Sequence, residues 1–174
     1  MDKKHIISVL VENKAGVLTK VTGLFARRGY NIDSLAVGET AKSDTSRITV
    51  IVSGDDHIVD QICKQLEKLI NVITVRVLDD YECVGRELVF IKVKAASARR
   101  SEIIQFVDIF RANVIDVSAK TMTIEISGDS DKINALKGLL EPFGILEIVR
   151  TGMIAVQRGI ACVEGTEEKK QISW

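Results

Sequence analysis

"VSGDD" at residues 52–56 returns as "ISGDS" at residues 126–130. In each stretch a β-branched run stops at a glycine. An aspartate then stands where a helix begins, and an acid there suits the positive end of the helix dipole. Gly54 and Gly128 are 74 residues apart, so the pair marks an internal repeat although the two halves share little identity.

Working outward from the first copy gives one βαββαβ unit. "HIISVLV" (5–11) reads as a strand. Residues 16–28 read as a helix, with Val17, Leu18, Val21, Leu24 and Phe25 on its apolar face. Arg27 and Arg28 suit its negative end, and Gly29 suits a left-handed cap. "NIDSLAVGE" (31–39) and "SRITVIVS" (46–53) are strands. The helix after Gly54 turns Ile58, Val59, Ile62, Cys63, Leu66 and Leu69 inward, and "NVITVRVL" (71–78) is the fourth strand.

The second copy repeats the order. "ELVFIKVKA" is a strand, residues 99–112 a helix with Ile103, Ile104, Val107 and Phe110 inward, and "NVIDVSA" with "TMTIEIS" a strand pair. The helix after Gly128 ends at Pro142, and "ILEIVR" closes the unit. The fold class is therefore α+β, as two tandem ferredoxin-like domains, each a four-stranded antiparallel sheet with both helices on one face. The boundary falls in the polar "LDDYECVGRE" (78–87). Each unit is small. Its second sheet face and its edges need covering, which points to a homodimer.

Composition narrows the function. Of 174 residues 46% are hydrophobic and 28% charged, with 24 basic and 24 acidic. A zero balance gives no footprint for nucleic acid or an anionic membrane. The start lacks the apolar run of a signal peptide, and no segment reaches the roughly 18 apolar residues of a membrane span. Cys63, Cys83 and Cys162 are odd in number and far apart, as expected of reduced, cytoplasmic thiols.

No catalytic constellation is found. His5 and His57 lie far apart, and neither a zinc-protease, a serine-hydrolase, a dinucleotide nor a phosphate-loop motif occurs. Asp55-Asp56 and Asp79-Asp80 read as solvated turn charges. An RNA-recognition domain shares the element order, but it stacks bases on aromatics of its central strands. "HIISVLV" and "SRITVIV" have none. Arg27-Arg28 and Arg99-Arg100 read as solvated charges at helix ends.

One turn remains. In "LVENKAGVLTKVTGLFARRGYNIDSL" (10–35) a strand runs through Asn13 and Gly16 into a helix. The first amides of a helix have no internal partner and attract a carboxylate or phosphate. Gly16 allows close approach, and Asn13 carries a donor and an acceptor. Asn31 opens the next strand. A small zwitterion with an apolar side chain fits this inventory. Ordinary turn punctuation fits it too.

The residues also carry a resemblance. "ISVLVENKAGVLTKVTGLFARRGYNIDSLAVGET" resembles an ACT domain and, more narrowly, the regulatory small subunit of acetohydroxyacid synthase, also called acetolactate synthase. "QICKQLEKLINVITV", "RELVFIKVKA", "DIFRANVIDVS" and "EIVRTGMIAVQRG" follow that family's order. The likeness covers about residues 4–159. It implies an ACT domain over 4–79, a C-terminal ferredoxin-like domain over 85–159, and a flexible tail over 160–174.

The resemblance further implies a non-catalytic chain without its own cofactor. Its partners would be a second copy, paired through the ACT domains, and a large catalytic subunit. That subunit would hold thiamine diphosphate, Mg and FAD and join two 2-keto acids into 2-acetolactate, for branched-chain amino acids. This chain would raise its activity and confer feedback inhibition by valine, with leucine or isoleucine as alternatives. The effector would lie between two ACT domains, beside Asn13, Ala15, Gly16, Val17 and Leu18 of one chain and Asn31 and Ile32 of the other. A free-standing ACT amino-acid sensor or transcriptional co-regulator is the alternative function.

Overall fold

The computed structural model describes residues 3–79 and 81–163. The chain forms two compact units. One holds the described residues up to Val84 together with those from Met153 to Val163. The other is Gly85–Gly152.

The first unit runs β1 (Lys4–Glu12), α1 (Val17–Arg28), β2 (Ser34–Glu39), β3 (Thr45–Ser53), α2 (Asp56–Leu66) and β4 (Val72–Leu78). Its antiparallel sheet has the order β2-β3-β1-β4, which leaves β2 and β4 as edges. The second runs β5 (Cys83–Lys94), α3 (Arg100–Ile109), β6 (Asn113–Val117), β7 (Thr121–Gly128), α4 (Ser130–Leu140) and β8 (Ile145–Arg150), with sheet order β6-β7-β5-β8. The tandem ferredoxin-like reading therefore holds. No described helix is long and apolar enough to cross a membrane.

The repeat is visible atom by atom at the second helix of each unit. Asp55 caps α2 by accepting the Ile58 amide at 2.8 Å, and Asp129 caps α4 by accepting the Lys132 amide at 2.9 Å. Both caps are extended, with φ of −81° and −77°. The Gly54 turn is also tied to β1. Gly54 donates to the Lys3 carbonyl at 3.1 Å, and buried His5 holds Nε2 3.1 Å from the Gly54 carbonyl.

The first core lies between the sheet and its helices. Ile7, Val9, Ile48 and Val50 are fully buried against Val21 and Phe25 of α1 and Ile62 of α2. Burying each such side chain contributes about 1.5–3 kcal/mol. Cys63 packs at the margin of this core, and burial, then the carboxylates of Glu67 and Asp60, push its thiol up to about 11. It stays protonated at neutral pH and acts as a small apolar group.

The opposite face of the same sheet is also covered, by residues far along the chain. Ile6, Leu10, Ile51 and Leu78 pack with Cys83, Ala155 and Val163. Ala155 lies on β9 (Ile154–Gln157), a strand the sequence reading did not include. Arg158 anchors this segment, donating its amide to the Glu82 carbonyl at 2.8 Å and Nε to the Cys83 carbonyl at 3.1 Å. β1 is consequently buried from His5 to Val11 without alternation, the pattern of a strand covered on both faces. Residues 153–163 belong with the first unit, and Val163, 2% exposed, does not lie in a flexible tail. The rest of the expected tail, including Trp174, lies outside the described residues.

Three local readings also change. β2 starts at Ser34, not Asn31, because the Asn31 side chain donates to Asp33 at 2.9 Å and shapes a loop there. α3 ends at Ile109 because Arg111 takes a left-handed φ of 49°, and the Ala112 amide returns to the Val107 carbonyl at 2.9 Å. Leu18 and Ile104 are 38% and 43% exposed rather than inward.

Asp55→Ala and Asp129→Ala should each cost about 1 kcal/mol, while the asparagine variants, which can still cap, stay close to wild type. Chemical denaturation of the four variants checks this. Equal losses for alanine and asparagine would assign the effect to charge rather than to the cap bond.

Candidate functional site

Residues 13–16 connect β1 to α1. Asn13 fixes this turn to the β2–β3 hairpin three ways. Its backbone amide donates to the Asp44 carbonyl at 2.7 Å, and its Nδ2 donates to Glu39 Oε1 at 2.8 Å and to the Ser43 carbonyl at 2.9 Å. Both side-chain amide hydrogens are thus engaged.

The other side of the turn is tied to the loop before β4. Asn71 donates to Glu12 Oε2 at 2.6 Å, Lys14 Nζ stands 3.1 Å from the same oxygen, and Lys20 donates to Asn71 Oδ1 at 2.8 Å. The Asn71 bond, then Lys14, hold the Glu12 carboxyl below its ordinary value of 4.5. A lowered carboxyl contributes its stability above that ordinary value. The contribution is lost as the pH falls through the lowered one.

Gly16 is the N-cap of α1, with φ 81° and ψ −6°. A helix cap is ordinarily extended, as Asp55 and Asp129 are. The left-handed conformation favours glycine, and no atom stands within 4 Å of where a Cβ would sit. Among the described residues no side chain caps α1, and its first turn carries no acid. The Val17 amide donates to the Lys14 carbonyl at 3.3 Å, but no side chain closes the exposed positive end of α1, whereas α2 and α4 each close theirs with an aspartate.

Comparison with known proteins matches one family model to each half of the chain. The model of the AHAS small subunit-like ACT domain matches residues 7–74, and that of the small subunit of acetolactate synthase matches residues 86–159. The chain is 54% identical to the acetolactate synthase small subunit of Mycobacterium bovis, over 90% of this chain and 94% of that one. It is 53% identical to a probable acetolactate synthase small subunit of Methanothermobacter thermautotrophicus, over 89% and 93% of the two chains. The crystal structure of the small subunit from Thermotoga maritima superposes with a TM-score of 0.84 at 43% identity, covering 91% of this chain and 99% of that one.

The chain belongs to the acetolactate synthase small-subunit family.

Within this small-subunit fold the candidate residues fall into two groups. Asn13, Ala15, Gly16, Val17 and Leu18 gather at the start of α1. Val17 is buried in the core, while Asn13, Ala15, Gly16 and Leu18 are exposed. Asn31 and Ile32 follow the far end of α1, closed by Gly29 in a left-handed cap with the Tyr30 amide on the Phe25 carbonyl at 3.0 Å. A helix of 12 residues is about 18 Å long. One protomer of a small-subunit chain therefore does not bring the two groups together.

The corresponding turn of the second unit is closed by its own side chains. Ala95 donates to the Lys120 carbonyl at 2.8 Å, as Asn13 does to Asp44. Here, however, Arg100 donates Nε to the Ala95 carbonyl at 3.1 Å and Nη2 to the Ser118 carbonyl. Arg99 lies 3.9 Å over the Phe143 ring and donates to the Pro142 carbonyl at 3.3 Å. Arg99 and Arg100 are charges at the start of α3, as the sequence suggests, and they also brace this turn. Sequence reasoning also missed Glu39, Ser43 and Asp44. They stand 26 to 31 residues from Asn13, and no local pattern announces them.

Gly16→Ala should cost about 1 kcal/mol through its positive φ rather than through a clash. Asn13→Ala should cost a similar amount, about 1 kcal/mol, by losing two exposed bonds. Hydrogen exchange separates them: Asn13→Ala speeds exchange in residues 40–45, and Gly16→Ala leaves that hairpin protected. Identical exchange maps would contradict the clamp.

Proposed function

We propose that this chain is the regulatory subunit of an acetolactate synthase. It binds a large thiamine-diphosphate-dependent subunit, raises its activity and confers feedback inhibition by valine. The observation that carries this reading is the 54% identity to named small subunits across 90% of the chain, which spans both units. The large subunit supplies the cofactors and the chemistry. This chain supplies a ligand-dependent preference for one state of the complex, for which coupling of about 1–3 kcal/mol is typical.

The effector part rests on the open turn. The start of α1 suits the carboxylate of an amino acid. Asn13 Oδ1, left without a partner among the described residues, suits its ammonium. Half-exposed Leu18 suits a branched apolar side chain. Asn31 and Ile32 complete the pocket from a second copy. β2 is an edge strand, and edges pair readily. In an antiparallel β2–β2 pair the start of one strand lies beside the end of the other. Asn31 of one copy then stands near Glu39 of the next, and Glu39 holds Asn13.

Reconstitution with the large subunit tests the proposal. Mixing should raise acetolactate formation, and valine should return it toward the level of the large subunit alone. Gly16→Asp should activate equally but lose the valine response, because its carboxylate occupies the place of the ligand's own. Asp also tolerates the left-handed conformation better than most residues. No complex, or a Gly16→Asp variant that valine still inhibits normally, would contradict the account. Leucine and isoleucine, run in parallel, identify the effector.

A further inference from the structure

We propose that Glu39 is a positioning residue for the effector's ammonium: by accepting from Asn13 Nδ2 it fixes the amide so that Oδ1 faces the ligand. This rests on the effector reading of the turn.

A carboxamide has nearly the same shape when rotated by half a turn, so its orientation is set by its neighbours. Here Nδ2 faces two acceptors, Glu39 Oε1 at 2.8 Å and the Ser43 carbonyl at 2.9 Å. Rotation would bring Oδ1 against both oxygens. Holding Nδ2 on the hairpin therefore leaves Oδ1 without a partner among the described residues, free to meet a ligand. Three residues later the chain offers the open, positive start of α1. An acceptor and a donor-rich helix end, this close in the chain, suit the two charges of an amino acid.

Glu39 is not needed to hold the strand itself. It is the last residue of β2, it is exposed, and its pairing with Ser46 is made by the backbone. Removing its side chain leaves no cavity. Ser43 alone supplies one acceptor for two hydrogens, so Glu39 Oε1 is the second acceptor that fixes the amide.

The test compares valine with 3-methylbutanoate, which has the same carboxylate and branch but no amino group. Calorimetric titration of the full chain gives the ratio of their affinities, which measures ammonium recognition. In Glu39→Ala that ratio should fall about tenfold, through weaker valine binding alone, as expected when one hydrogen bond to a charged group is lost. Glu39→Gln, whose Oε1 accepts in the same place, should keep the wild-type ratio. Equal weakening of both ligands in Glu39→Ala would mean a structural role and overturn the proposal. An unchanged ratio in Glu39→Ala, or a loss in Glu39→Gln as large, would also overturn it. A wild-type chain that binds neither compound overturns the effector reading itself, and so is told apart from failure of Glu39 alone.

Discussion

The length of α1 governs what this fold can bind. Twelve helical residues, about 18 Å of helix, separate the Gly16 turn from Asn31, and both ends are fixed. Asn13 ties the start to the β2–β3 hairpin, and Gly29 closes the other end onto α1's own carbonyls. No side-chain rotation spans that distance. A pocket that uses both groups therefore draws on two copies of the chain, and the exposed edge β2 offers the means of bringing them together. In the proposed dimer, binding and pairing would be one property, because the ligand would sit where two copies meet.

The two units show how one scaffold diverges. Both keep the element order and the aspartate cap 74 residues apart. They part at the turn after the first strand. In the first unit a glycine leaves the helix end open, and in the second Arg99 and Arg100 fill the corresponding turn with their own bonds. The strands differ as well. β1 is buried on both faces, whereas β5 alternates between buried and open positions.

Much of this was legible in the sequence because the signals are local. The Gly-Asp turns, the α1 stripe of Val17, Val21, Leu24 and Phe25, and Gly29 each act within a few residues. Leu18 sits at the edge of that stripe, so adjacency to Val17 misplaced it in the core. Long-range contacts left no such trace. Glu39 meets Asn13 across 26 residues, and Val163 covers Ile6 and Leu78 from the far end of the chain. A short stretch such as "IAVQ" carries too little periodicity to announce β9. The site residues themselves were named through family likeness. The structure adds that they form two groups.

Mixing two defective chains tests whether the pocket is shared between copies. Gly16→Asp spoils one group, and Asn31→Ala spoils the other. A heterodimer of the two has one pocket with both defects and one with neither. Calorimetric titration with valine should therefore recover binding in about half of the heterodimer pockets, although neither homodimer binds. If native mass spectrometry confirms heterodimers and the titration stays flat, each pocket lies within one chain and the account is contradicted.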